Sequence, residues 1–126
     1  MISIFATGFL DRKPELELVG AKRAHKCLFD VIWERRKFKD GEWVSVWERA
    51  TFEAWDDLAD KVASTLDRGF TVNCTGTQET SEWHAGDGSR RKAVRYQLAT
   101  WSVVRRPPSA EQRAARQEPL AAPSSL

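Results

Sequence analysis

The stretch Phe38-Lys39-Asp40-Gly41-Glu42-Trp43-Val44-Ser45-Val46-Trp47-Glu48-Arg49-Ala50-Thr51-Phe52 decides the fold. Asp40-Gly41 is a strong hairpin signal, because a type I′ turn needs positive φ at both central residues and Asp-Gly adopts it cheaply. The run after the turn alternates. Trp43, Ser45, Trp47, Arg49 and Thr51 share one face; Val44, Val46, Ala50 and Phe52 share the other, which reads as a core face broken only by Glu48. The first face carries two indoles and a guanidinium. Aromatics beside basic residues on an open sheet suit the stacking of unpaired bases along a phosphate track. Equally, an indole in this position can cover a barrel end or a subunit contact.

Upstream of the turn, Cys27, Phe29, Val31 and Trp33 alternate with Leu28, Asp30, Ile32 and Glu34, and Arg35-Arg36-Lys37 leads into the hairpin. Ile2 to Leu10 reads as a strand with a bend or bulge at Gly8, broken by Pro14, which cannot donate to a ladder. Glu15 to Val19 is a short second piece or the same strand resuming after a kink, and Gly20 to Lys26 is a basic connection.

Downstream, the period changes. Trp55, Leu58, Ala59, Val62, Ala63 and Leu66 recur at helical spacing. Asp56 and Asp57 suit the start of this helix, Arg68 lies late, and Gly69 reads as its C-cap. Trp55 fits the same apolar stripe, which favours a packed role for it. Phe70, Val72 and Cys74 alternate with Thr71, Asn73 and Thr75, and this strand passes Gly76 and runs on to Trp83. Gly86-Asp87-Gly88-Ser89 is a second hairpin turn, followed by Arg90-Arg91-Lys92 and a last strand from about Ala93 to Val104.

Strand, strand, strand, helix, strand, strand, with two hairpins, is the order of the five-stranded Greek-key barrel called the OB-fold, all-β with one helix between strands 3 and 4. Residues 1–106 make this single domain. From 107 to 126 the chain is rich in Pro, Ala, Ser, Gln and Arg, which predicts a flexible tail with composition for a short frayed helix over Ala110 to Gln117.

With 126 residues, there is room for one core. Twenty basic residues against 18 acidic leave a net charge of +2, so a nucleic-acid role must rest on local patches. Cys27 and Cys74 read as buried thiols in a reducing compartment. No apolar run is long enough to span a membrane, and the expected location is cytoplasmic. His25 and His84 lack a metal-ligand set, no Gly-rich phosphate loop precedes a helix, and Asp56-Asp57-Asp60 reads as a solvated helix face. A binding protein without cofactor or metal is therefore expected, not an enzyme.

Over roughly Ile2 to Val104 the chain resembles bacterial-type single-stranded DNA-binding proteins. Gly8-Phe9-Leu10-Asp11-Arg12-Lys13-Pro14-Glu15 is similar to the family's opening stretch, Arg35 to Trp43 to its basic hairpin, and Trp47-Glu48-Arg49 to its Trp-x-Arg. Leu58 to Gly69 looks like its single helix and closing glycine, and Gly76, Trp83, Gly88 and Arg91 fall at its spacing. The resemblance implies base stacking by Trp47 and Trp83, with Arg49 and Arg91 holding phosphates or the strand's geometry. It implies a third stacking aromatic at Trp33 or Phe38 and a fourth at Trp55, with Arg35, Arg36 and Lys39 on one basic arm and Arg90, Arg91 and Lys92 on the other. It also implies a homo-oligomer, a tetramer by resemblance or a dimer.

Two departures stand out. Thr77-Gln78-Glu79-Thr80-Ser81-Glu82 is acidic where the family is basic, so Arg90, Arg91, Lys92 and Arg95 would have to compensate. Pro119 to Leu126 is not the acidic, phenylalanine-terminated tip of chromosomal relatives, which suggests service to a plasmid, phage or conjugative process without docking of host partners by that route. The competing reading is an OB-barrel for RNA or for a protein partner in a primosome-like complex, since fold alone does not separate these.

Overall fold

A computed structural model describes residues 1–108. Its elements are β1 (Ser3–Phe9), β2 (Glu15–Val19), β3 (Ala24–Lys39), β4 (Glu42–Trp55), α1 (Asp56–Thr65), β5 (Thr71–His84) and β6 (Arg90–Arg105). The tail from residue 109, with the short helix expected there, lies outside the described residues.

The strands follow the order β1-β5-β6-β4-β3-β2, and β1 also meets β3. Phe9 lies opposite Ile32 and Glu15 opposite Leu28, both antiparallel, so β1 and β2 are one strand interrupted at residues 10–14. Counted that way the barrel has five strands, with α1 after the third, and the fold is the OB-fold expected from the element order. A short parallel contact of β4 with β6, Phe52 to Tyr96 and Glu53 to Gln97, joins the two long hairpins.

Gly8 marks the place where β1 crosses β3. A Cβ there would stand 2.3 Å from the Ile32 carbonyl oxygen, so only glycine lets the two backbones approach. Inside the barrel, Phe29 and Phe52 stack with centroids 5.7 Å apart, and Val31, Val62, Leu66, Val72 and the two cysteines fill in around them. Both thiols are free, and burial pushes Cys27 up to about 11, with Glu17 adding to it, and Cys74 up to about 12.

Three expectations need correction. The core face of β4 begins at Ala50, whereas Val44 is exposed and Val46 only half-buried, because this end of the hairpin projects beyond the packed core of the described residues. The helix ends at Thr65, with the Leu66 N–H donating to the Val62 carbonyl; it has no basic residue in its last turn. Gly69 is not its cap. It sits in the following turn at φ +86° and donates its N–H to the Leu10 carbonyl, 2.8 Å away.

Candidate nucleic-acid interface

The β3–β4 hairpin turns through Asp40 at φ 50° and Gly41 at φ 80°, both positive as the Asp-Gly reading requires. Its register places Phe38 opposite Trp43, Arg36 opposite Ser45, Glu34 opposite Trp47 and Ile32 opposite Arg49. Residues directly opposite share a face, so Phe38, Trp43 and Trp47 lie together on the outer side. Trp43 is 63% exposed, Trp47 62% and Phe38 58%, too open for core residues. The Phe38 and Trp43 rings meet edge-on at 5.4 Å. Trp47 stands edge-on to Phe9, with centroids 5.8 Å apart.

Phe9 is a residue that sequence reasoning missed as part of this surface. Its signal was its place next to Gly8, at the crossing that carries β1 over β3. Trp33 has the other parity. It lies opposite Glu48, packs against the core, and borders a groove of about 550 Å³ with Ile4, Ala50 and Tyr96. Arg35, Lys37 and Lys39 share its side of the ribbon.

The second ribbon is β5–β6. Trp83 lies opposite Arg91, while Glu82 opposite Lys92 and His84 opposite Arg90 occupy the reverse face. Trp83 is half exposed. Gly76, still paired with Ile4 of β1 inside the barrel, has no room for a side chain: a Cβ would stand 2.7 Å from the Gln97 carbonyl oxygen. At the turn, the Ser89 hydroxyl and backbone N–H donate to Asp87 and hold its carboxyl below the ordinary value.

Between the ribbons lies Glu53, 7% exposed. Trp55 Nε1 donates to its Oε1 at 2.7 Å, as does Gln97 Nε2 at 3.0 Å; Arg95 donates to Oε2 at 3.2 Å, and Lys26 Nζ is 3.7 Å away. Burial works against the charge of Glu53, but the bonds from Gln97 and Trp55, the charge of Lys26 and the Arg95 bond outweigh it, so its pKa is lowered. Trp55 is thus not on the helix's buried stripe. It is the last residue of β4, partly exposed, with Lys26 over one face of its ring.

The carboxylates engage most of the expected phosphate contacts. Arg35 pairs with Glu48 at 2.8 Å, Arg49 with Asp30 at 2.9 Å, and Arg90 and Lys92 both with Glu82. Of the four cations expected to compensate, Arg90 and Lys92 are paired with Glu82 and Arg95 with Glu53, and Arg91 alone has no ion pair among the described residues. Arg36, Lys37 and Lys39 likewise have no ion pair among the described residues, so these three and Arg91 leave unpaired positive charge toward the tips of the two ribbons. His25 Nδ1 meets Asp60 at 2.6 Å, beside Asp56 and Asp57. No helix among the described residues is long and apolar enough to cross a membrane.

No protein-family model matches the chain. It is 33% identical over 102 residues to a single-stranded DNA-binding protein of Bifidobacterium longum (strain NCC 2705), covering 75% of this chain and 44% of that relative. The chain thus spans less than half the length of the relative it matches. Among solved structures, the Plasmodium falciparum SSB in its complex with ssDNA superposes with a TM-score of 0.72 at 14% identity, over 83% of this chain and 96% of that one. A deletion mutant of the single-stranded DNA binding protein from Thermus aquaticus gives 0.67 at 14% identity, over 82% of this chain and 50% of that one. Likeness at such low identity speaks for the fold, and the sequence relative speaks for the group within it. In sequence and in fold, this chain is similar to the bacterial-type single-stranded DNA-binding proteins.

Proposed function

We propose that this chain binds single-stranded DNA without strong sequence preference, protecting it during replication, recombination, repair or plasmid and conjugative transfer. Bases stack on Trp47, Trp43 and Phe38 of one ribbon and on Trp83 of the other, with Trp55 as a further face between them. Arg36, Lys37, Lys39 and Arg91 take the backbone, and the barrel of residues 1–106 supplies the rigid surface; residues 107–126 are an appended tail. Trp33 has a packing role. The protein works as a homo-oligomer, dimer or tetramer, so that one strand can pass over several barrels.

The observation that carries this reading is Trp47, exposed on the outer face of β4 yet fixed edge-on by Phe9. An indole so placed offers an open π-face to any base, which is why little sequence preference follows. Intrinsic tryptophan fluorescence during titration with oligo-dT tests the proposal, with duplex and RNA strands of equal length alongside. Quenching by oligo-dT that weakens with salt, and a small response to duplex, is the expected result. A flat oligo-dT trace overturns it, and stronger quenching by RNA than by DNA reassigns the ligand.

A further inference from the structure

We propose that Glu82 is a built-in competitor for the phosphate backbone, holding Arg90 and Lys92 and so limiting the charge that the β5–β6 ribbon brings to a strand. The proposal rests on the single-stranded DNA reading above. One carboxylate serves both cations: Arg90 reaches Oε2 at 2.6 Å and Lys92 reaches Oε1 at 3.4 Å. Lys92 is directly across the ribbon from Glu82, and Arg90 is across from the neighbouring His84, so the register itself brings the three together. They stand one residue from Trp83, and Glu82, Trp83, His84 and Arg90 line an open groove of about 360 Å³ at the ribbon's end.

Glu82 and its two cations lie on the face of the ribbon opposite Trp83, and the end groove lined by Trp83, Glu82 and Arg90 is where a strand stacked on the indole would meet them. All three charged groups are well exposed, so each pair alone is weak, and Glu82 acts as a competitor only in so far as both pairs persist beside the bound strand. While the pairs persist, two cations are neutralised and Glu82 repels the strand. Among the described residues the ribbon then has Arg91 as its unpaired cation beside Trp83, and binding there leans on stacking more than on charge. Glu79 supplies the internal control. It lies on the same ribbon, opposite Arg95, and has no cation partner of its own among the described residues.

The experiment compares the full chain with Glu82→Gln and Glu79→Gln, titrating oligo-dT at several salt concentrations. Both variants lose the same charge. If Glu82 holds two cations out of the contact set, its replacement steepens the plot of log K against log salt by about 1.4, at about 0.7 per phosphate contact on a single strand. Over about 50 to 200 mM salt the loss of affinity then grows about sevenfold relative to the unaltered chain. Glu79→Gln shifts affinity and leaves the slope where it was. An unchanged slope in Glu82→Gln overturns the competitor role, as does an equal steepening in Glu79→Gln. Failure of the unaltered chain to bind oligo-dT overturns the reading beneath it as well, whereas normal binding with an unchanged Glu82→Gln slope removes the competitor role alone.

Discussion

Phe9 and Trp47 are joined edge to face, ring centroids 5.8 Å apart and planes at 88°, although they are 38 positions apart in sequence. The contact leaves a broad face of the indole open while restricting its rotation. Trp47→Ala should cost about 1–3 kcal/mol in oligo-dT binding, the worth of one stacked base. Phe9→Leu should cost less, about 0.5–1.5 kcal/mol, because it removes the orienting pair and keeps the indole. Fluorescence titration checks both. Equal losses in the two variants would mean that Phe9 touches the strand itself.

Phe38 and Trp33 make opposite predictions. Phe38 shares the outer face with Trp43 and Trp47, whereas Trp33 packs against the core. Phe38→Ala should therefore weaken oligo-dT binding by about 1 kcal/mol or more and leave the melting temperature nearly unchanged. Trp33→Leu should lower the melting temperature, through lost packing, and leave binding by the folded protein intact. The reverse pattern would move the third stacking position to Trp33.

Much of this was legible in the residues. Asp40-Gly41 fixes the register of its hairpin, and alternation from it separates Trp43 and Trp47 from the core face. The same register, continued across the turn, pairs Phe38 with Trp43 and puts Trp33 on the other side, a distinction that parity alone could have made. Alternation does not say where a ribbon leaves the barrel, so Val44 and Val46 looked like core. Nor does it reveal non-local pairing. Glu82 looked like a charge on the strand's path, and Arg90 and Lys92 like its remedy, whereas both cations pair with Glu82 itself. Glu53 with Arg95 and Gln97 depends on the parallel contact between β4 and β6, a long-range closure that no local pattern encodes.

Gly8→Ala should destabilise the fold by about 3 kcal/mol, the upper end for forcing atoms into a packed site. The new Cβ would stand 2.3 Å from the Ile32 oxygen and 2.8 Å from its carbonyl carbon, and backbone atoms cannot turn aside as a side chain can. Gly86→Ala is the contrast: a Cβ there meets nothing within 4 Å, and the effect should stay within about 0.5 kcal/mol. Denaturant titration of the two variants separates a close approach of strands from a general sensitivity of glycines.

Glu53 makes acid stability the last test. Its pKa is lowered in the folded chain, so the folded state binds its proton less readily than the unfolded state, whose carboxyl keeps the ordinary value of 4.5. The stabilisation from Glu53 is present above that value and is lost as pH falls through the folded one. The unaltered protein should consequently lose more melting temperature between about pH 5 and pH 3 than Glu53→Gln does. At neutral pH Glu53→Ala should cost about 1–3 kcal/mol, because it leaves Trp55 Nε1, Gln97 Nε2 and Lys26 without the acceptor they share in a crowded seam. Glu53→Gln should cost less, since the amide oxygen still accepts from one of these donors. Parallel acid profiles for the unaltered protein and Glu53→Gln would show that the charge of Glu53 adds nothing, and that this seam is held by packing and neutral hydrogen bonds alone.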